Sequence, residues 1–335
     1  MDGRWIRCLG AVALGACETM TMAEPGNLVP ATVMENPALP AITINGTRLH
    51  AETRGDPSKP VMIVLHGGPG ADYRSMLPLA GALGDFSLAD RYFMVFWDQR
   101  GAGLSQRHDQ EVLTLDQYDA DLLALADRYS PGRPVTLLGH SWGGMYGTSF
   151  IDRHPTRVAE AIFIETGPLT GATFERIKSD LYDLNIRREW LNDMAWATRF
   201  FSADDHARMD YQLLLGSEGA QPRNNSRRGP HGEPGWRYGA KVSRYLMEDG
   251  QDANGTMTYD FTANLRQFTG RVLLIAGSRS EVLGPSLQRE QLPRYANATL
   301  RVIDGAGHDV QWTHTTAVLT AIRDFLASPT VGGAR

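Results

Sequence analysis

The sequence predicts an α/β protein built on a mostly parallel sheet, and three observations support this fold class. Apolar side chains make up 42% of the 335 residues, enough to bury the core of one large domain or two small ones. Charged residues make up 21% and no low-complexity block occurs, which excludes a wholly disordered or fibrous chain. Short, nearly continuous apolar runs alternate with helical patterns, as expected of parallel strands that helices cover on both faces.

The predicted elements begin near residue 41 with a β-hairpin. Two β-rich segments, 42–44 and 48–53, flank the turn dipeptide Asn45-Gly46. Helical periodicity covers 117–129 and 317–327. Buried strands are expected at 61–65, 92–97, 135–138, 161–164, 272–275 and 299–303. The sheet and its helices therefore occupy residues 41–167 and 263–335.

The alternation of strands and helices breaks once, over residues 168–262. This stretch contains no convincing strand, and a polar loop rich in Gly and Pro covers 217–235. Its scattered aromatic residues either pack within the insertion or line a ligand pocket. They are Trp190, Trp196, Phe200, Phe201, Tyr211, Trp236, Tyr238 and Tyr245. We expect a mostly helical cap that lies over the sheet.

The first 17 residues have the layout of a signal segment. Arg4 and Arg7 precede a short apolar run, about half the length of a membrane-spanning helix. The ending Leu14-Gly15-Ala16-Cys17 resembles the bacterial lipobox, in which the cysteine becomes the lipidated first residue. Residues 18–40 have no hydrophobic periodicity and are expected to form a tether.

The lipobox predicts an exported lipoprotein that faces the periplasm and contacts the membrane only through a lipid on Cys17. Two alternatives stay open. The segment is an ordinary cleaved signal, or the true start is Met20 or Met22, which makes the protein cytoplasmic. Oligomeric state is left open by the sequence.

Charge and cysteine content exclude two further kinds of site. Lys and Arg number 33 against 38 Asp and Glu, a net charge of −5, whereas proteins that neutralise nucleic-acid phosphates are normally basic. The two cysteines of the sequence, Cys8 and Cys17, both lie in the signal segment. The body of the protein therefore offers no thiol, disulfide or cysteine-ligated metal, and we expect no metal or organic cofactor.

The strongest chemical signal is Gly139-His140-Ser141-Trp142-Gly143, directly after a predicted strand. It fits G-x-S-x-G, in which the glycines let the chain turn sharply and lift the serine hydroxyl above the sheet edge. A second motif, His66-Gly67-Gly68-Pro69-Gly70, follows another strand. Backbone N–H groups in such a loop can bind a developing oxyanion, each donor contributing about 2.7–4 kcal/mol. We expect Ser141 as the nucleophile, and the N–H groups of Gly68 and Trp142 as the oxyanion hole.

Three motifs together resemble the proline iminopeptidase branch of the α/β-hydrolase superfamily. They are HGGPG at 66–70, DQRGAG at 98–103 and GHSWGG at 139–144. The resemblance extends over about 41–165 and 270–327. It implies the α/β-hydrolase fold with a helical cap, and it implies that Asp98-Gln99-Arg100 is a structural element beneath the active site.

A serine nucleophile needs a general base and an acid that orients it. His308 follows the last predicted strand, which matches the order Ser, acid, His of α/β hydrolases. The usual acid position, G-x-x-D after the penultimate strand, here reads Gly277-Ser278-Arg279-Ser280. Glu281 lies one residue beyond the usual acid position. Glu165 ends the strand after the nucleophile's helix, where some superfamily members place the acid, so Glu165 is preferred and Glu281 is the alternative.

These residues predict acyl transfer by a serine hydrolase. The resemblance favours an aminopeptidase that releases N-terminal residues, often proline, from short peptides. A carboxylesterase or lipase on small acyl esters is the first alternative, and a non-catalytic surface lipoprotein on a hydrolase scaffold is the second. Haloalkane dehalogenases and epoxide hydrolases of this fold carry Asp where this chain has Ser141, which argues against those chemistries.

Overall fold

The computed structural model describes residues 29–181, 204–217 and 236–328. Several predictions fall outside these residues. They concern the signal segment with Cys17, the starts Met20 and Met22, most of the polar loop 217–235, and the cap aromatics Trp190, Trp196, Phe200 and Phe201.

Eight strands form the main sheet of the described chain. They are β1 (Ala41–Ile44), β2 (Thr47–Arg54), β3 (Val61–Leu65), β4 (Phe93–Trp97), β5 (Val135–His140), β6 (Val158–Ile164), β7 (Arg271–Gly277) and β8 (Ala298–Ile303). Their order is β1-β2-β4-β3-β5-β6-β7-β8. β2 is antiparallel to β1 and β4, and all other neighbours run parallel. The predicted mostly parallel α/β fold is therefore confirmed.

Helices cover both faces of this sheet. The α-helices of the described ranges are α1 (Leu88–Arg91), α2 (Leu115–Tyr129), α3 (Trp142–Arg153), α4 (Gly171–Leu181), α5 (Asp205–Ser217), α6 (Ala240–Asp249), α7 (Pro285–Gln291), α8 (Val310–Thr313) and α9 (Thr315–Ala327), of which α4, α5 and α6 belong to the insertion. Leu122 of α2 and Phe150 of α3 belong to the core on one face of the sheet. Ile322 of α9 belongs to the core on the other face. The sheet has a core on each face because alternate residues of a strand point to opposite sides.

The carboxyl ends of three neighbouring strands lie side by side. Ile164 of β6 pairs with the last residue of β5 and with Ile275 of β7. The next residues continue these ladders, since the Ser141 N–H donates to the Ile164 carbonyl at 2.9 Å and the Glu165 N–H to the Ile275 carbonyl at 2.8 Å. The register of the sheet thus brings Ser141 and Glu165 to the same edge.

The described part of the insertion contains α4, α5 and α6. Its β structure is limited there to isolated bridges, Thr170 with Asp260 and Gln251 with Met257. The segment 236–240 returns onto the core, where the Gly239 N–H donates to the Gly70 carbonyl at 2.6 Å. The insertion therefore contacts the HGGPG loop directly.

Residues 29–40, the last part of the predicted tether, lie against the rest of the fold. Val33 is fully buried, and its N–H donates to the Leu104 carbonyl at 2.8 Å. Arg237 of the insertion donates to the Pro30 carbonyl at 2.9 Å. None of the helices in the described ranges has the length and apolar character needed to cross a bilayer.

Candidate active site

Ser141 lies on a sharp turn between β5 and α3. Its φ of 54° and ψ of −116° are strained for a residue with a Cβ, as expected of a nucleophile elbow. The neighbouring glycines make this turn sterically feasible. A Cβ at Gly139 would lie 2.5 Å from the Gly143 carbonyl oxygen, and one at Gly143 would overlap the Leu65 carbonyl.

Glu165 ends β6 with its side chain fully buried, and its backbone is also left-handed, with φ 51°. Its Oε1 accepts the Gly277 N–H at 2.6 Å, and its Oε2 accepts the Ser280 hydroxyl at 2.6 Å. The same Oε2 lies 3.3 Å from Nδ1 of His308. The carboxylate that faces the imidazole is thus the one at the end of β6.

Glu281, the alternative acid, lies elsewhere. Its side chain is exposed and lines a surface groove together with Arg176 and Glu290. The structure brings Glu165, and not Glu281, to His308.

His308 occupies the loop between β8 and α8. Because its Nδ1 donates to Glu165, its Nε2 is left as the basic nitrogen. Burial lowers the pKa of His308, but the hydrogen bond and charge of Glu165, together with the charge of Asp309, raise it by more, so its pKa lies above the ordinary histidine value.

His140 packs against His308, with ring centroids 4.8 Å apart, and donates from Nε2 to the His308 carbonyl at 3.0 Å. Burial and the neighbouring charge of His308 lower the pKa of His140 to about 3. His140 is therefore neutral near pH 7 and can hold the His308 loop without competing for protons.

The HGGPG loop packs directly on the nucleophile. A Cβ at Gly67 would lie 3.3 Å from the Ser141 Cβ. Gly68 has φ +118°, and a Cβ there would lie 2.5 Å from the Gly70 nitrogen, so this tight turn of the loop requires glycine. His66 is fully buried and donates from Nδ1 to the Gly67 carbonyl at 2.8 Å, consistent with its expected bracing role.

Gln99 of the DQRGAG motif links the two strand ends that carry the predicted oxyanion hole. Its backbone N–H donates to Nε2 of His66 at 3.0 Å, and its side-chain amide donates to the His66 carbonyl at 3.1 Å. Its Oε1 accepts the indole N–H of Trp142 at 3.0 Å. One buried side chain therefore fixes both the HGGPG loop and the start of α3.

The other residues of this motif lie beneath the site. Arg100 forms a buried ion pair with Asp121 at 2.7 Å, the internal pairing that the resemblance implies. Asp98 accepts the backbone N–H of Tyr73 at 3.0 Å and that of Leu104 at 2.8 Å. These contacts hold the neighbouring loops in place.

Asp72, just after HGGPG, joins this loop to the insertion. Its carboxylate accepts the backbone N–H groups of Arg74 at 2.9 Å, of Arg237 at 3.2 Å and of Trp236. Burial and the nearby charge of Asp98 raise the pKa of Asp72 to about 7.

Sequence reasoning placed Gln99 only within a structural element and assigned no role to Ser280, although each carried a signal. Gln99 lies inside a recognised motif, and Ser280 stands at the usual acid position, where a hydroxyl donor suits a carboxylate arriving from a neighbouring strand. Within the three described ranges, no group of three or more His, Cys, Asp or Glu side chains is placed to hold a metal ion.

Known proteins resemble this chain in sequence and in fold. A family model for the alpha/beta hydrolase fold matches residues 60–315. The proline iminopeptidase PfmaB of Pestalotiopsis fici is 24% identical over 306 residues, which cover 85% of this chain and 98% of that protein. Epoxide hydrolase 1 of Caenorhabditis elegans is 24% identical over 297 residues, covering 85% of this chain and 69% of that protein. An enol-lactonase from Burkholderia xenovorans LB400 superimposes with a TM-score of 0.57 at 18% identity, over 86% of this chain and 100% of that one.

Proposed function

Because the chain belongs to the α/β-hydrolase family, we propose that it is a serine hydrolase that releases N-terminal residues from short peptides by acyl transfer. One observation carries this proposal. A serine on a strained elbow and a buried carboxylate bound to a histidine lie at neighbouring strand ends, the arrangement that nucleophilic catalysis by serine requires.

The first half-reaction forms an acyl-enzyme. Nε2 of His308 takes the proton of the Ser141 hydroxyl while Oγ attacks the carbonyl carbon, and the N–H groups of Gly68 and Trp142 bind the oxyanion. Glu165 accepts the hydrogen bond from Nδ1 of His308 throughout and stabilises the imidazolium. His308 then gives its proton to the leaving amine, and the C–N bond breaks.

The second half-reaction returns the free enzyme. His308 removes a proton from water, and the resulting hydroxide attacks the acyl carbon. The tetrahedral intermediate collapses when His308 returns the proton to Ser141 Oγ, which releases the acid product.

A peptide substrate is supported by the proline iminopeptidase relative, which aligns over nearly its whole length. The epoxide hydrolase relative aligns almost as widely, but Ser141 stands where we expect the aspartate nucleophile of that chemistry. The superimposed lactonase shares the fold, at an identity too low to indicate a substrate.

The test compares release of naphthylamine from prolyl-naphthylamide with hydrolysis of p-nitrophenyl acyl esters, using Ser141→Ala as the control. We expect turnover of the prolyl amide that Ser141→Ala abolishes. Turnover of esters alone would keep acyl transfer and replace the peptide substrate with an ester. Turnover of neither substrate, together with no labelling by a fluorophosphonate, would leave a non-catalytic protein on a hydrolase scaffold.

A further inference from the structure

Ser280 occupies the sequence position where the superfamily usually carries the acid. Its side chain is 3% exposed, and its hydroxyl donates to Oε2 of Glu165 at 2.6 Å. The Gly277 N–H holds the other oxygen, Oε1, at 2.6 Å. The end of β7 and the loop after it, which lacks the usual carboxylate, thus supply two donors to the carboxylate of the neighbouring strand.

The two groups that bind Oε2 of Glu165 have different roles. His308 contacts this oxygen at 3.3 Å, whereas the Ser280 contact is 0.7 Å shorter. Hydrogen bonds from hydroxyl to carboxylate at this length are among the stronger ones in proteins. Ser280 therefore restrains the rotation of the Glu165 carboxylate more strongly than His308 does.

The position of the Ser280 hydroxyl is itself fixed by its loop. The Ser280 N–H donates to the Gly277 carbonyl at 3.1 Å, closing a tight turn directly after β7. Gly284 lies against the Ser280 carbonyl so closely that a Cβ there would overlap it. Both contacts position Ser280 without involving any substrate.

We infer that Ser280 is a positioning residue that aims Oε2 of Glu165 at Nδ1 of His308. This inference rests on the proposed function, since it assigns Ser280 a part in orienting the proposed base. Ser280 touches neither substrate nor reacting atoms. It acts through the carboxylate, in place of the acid that the G-x-x-D position lacks.

The first test removes the hydroxyl and then restores it. Ser280→Ala should lower kcat about 10- to 100-fold with KM within about twofold, because a misaimed catalytic group costs rate and not binding. Ser280→Thr keeps a hydroxyl and should recover most of this loss. Ser286→Ala is the matched control, since it removes an exposed hydroxyl on α7, six residues away, and should stay within about twofold of wild type.

The second test moves the carboxylate. Ser280 Oγ and His308 Nδ1 bind the same oxygen, so they are at most two hydrogen-bond lengths apart. Glu165→Gln should lower kcat by about 10³- to 10⁴-fold. Adding Ser280→Asp to this variant should raise kcat at least about tenfold above Glu165→Gln alone, because the new carboxylate reaches the imidazole from Ser280's position.

The inference is overturned by a folded Ser280→Ala enzyme with wild-type kcat, or by equal losses in Ser280→Ala and Ser280→Thr. If Ser280→Ala does not fold, the double variant decides, and a kcat no higher than that of Glu165→Gln overturns the inference. Fluorophosphonate labelling of wild-type Ser141 separates the two proposals. If wild-type Ser141 is labelled and Ser280→Ala has the wild-type kcat, the positioning role alone is refuted. If wild-type Ser141 is not labelled, the proposed function is refuted.

Discussion

At the residue scale, two opposing effects set the charge of His308. Its burial disfavours the imidazolium, and the bound carboxylate of Glu165 with the charge of Asp309 favours it by more, so the pKa of His308 is raised. A general base must be neutral to accept a proton, so activity is lost as pH falls through this pKa.

This gives a prediction for the pH profile of kcat/KM. The acid limb of the wild type should have its midpoint above about 6.5, the ordinary histidine pKa. Glu165→Gln weakens the largest raising influence on the pKa of His308 and leaves its burial unchanged, so the limb of the residual activity should move to lower pH. His140, with a pKa of about 3, does not contribute to this limb. A wild-type midpoint below the ordinary histidine value would contradict the account.

Gln99 gives a second prediction at this scale. Gln99→Leu leaves the His66 carbonyl and the Trp142 indole N–H without their partner, and each unsatisfied buried group costs about 1–3 kcal/mol. Steady-state kinetics should show kcat reduced about tenfold or more, with KM little changed, because the oxyanion donors lose their alignment. Gln106→Leu serves as the control. It removes a half-buried amide of the same loop, whose Oε1 accepts the backbone N–H of Arg48. Equal kinetics in the two variants would show that Gln99 does not align the hole.

Single residues differed in how far the sequence predicted them. Ser141 follows from a short local pattern, because the elbow needs glycines at fixed offsets. Glu165 and Glu281 could not be separated by pattern alone. The choice depends on the register of β5, β6 and β7, which sets the neighbouring strand ends side by side. Ser280 and Gln99 act across strands, and no local pattern shows which carboxylate or loop they meet.

At the element scale, the segment 236–240 couples the insertion to the HGGPG loop. Gly70 has φ +98°, and a Cβ there would lie 2.5 Å from the Gly239 carbonyl oxygen. Gly239 in turn packs on the Gly101 carbonyl, where a Cβ would overlap it. Three glycines from three segments thus meet at one point of close backbone approach.

Gly239→Ala is expected to loosen this contact. Overpacking of this kind costs about 1–3 kcal/mol, and a shift of 1 kcal/mol lowers Tm by about 2–4 °C in a domain of this size. Thermal unfolding should show a Tm several degrees lower, and KM should rise as the insertion shifts over the site. Gly250→Ala, at the end of α6, is the matched control, because its φ of −81° suits alanine and its nearest neighbour is a side chain at 3.3 Å. A Tm equal to that of this control would contradict the prediction.

Long, strongly patterned elements were predictable and short ones were not. Parallel strands are buried on both faces and read as continuous apolar runs, so all the central strands were found within a few residues. The hairpin followed from Asn45-Gly46, whose φ values of 45° and 75° fit the predicted turn. The 3₁₀ helix Arg74–Ala80 was missed because it contains Pro78 and lacks helical periodicity.

At the scale of the whole molecule, the predicted lipid anchor would hold the enzyme close to its membrane. Residues 18–28 would join Cys17 to the described body, and this length spans no more than about 40 Å when extended. The body beyond it is tied down through Pro30 and Val33. A lipid at Cys17 therefore predicts an enzyme restricted to the membrane surface.

Metabolic labelling tests this prediction. Labelled palmitate should enter the wild-type protein and not Cys17→Ser, and the wild type alone should sediment with membranes. Cys8→Ser, the other cysteine of the segment, is the matched control and should label like wild type. Wild-type protein without label would favour a cleaved signal or a start at Met20 or Met22.

Labelling by a fluorophosphonate, with mass spectrometry of the adduct, tests most directly whether His308 and Glu165 make Ser141 nucleophilic. We expect one adduct, on Ser141, formed at least about 100-fold more slowly in Glu165→Gln and at the wild-type rate in Glu281→Gln. An adduct on another residue, no adduct, or a slow rate in Glu281→Gln with a normal rate in Glu165→Gln would contradict it.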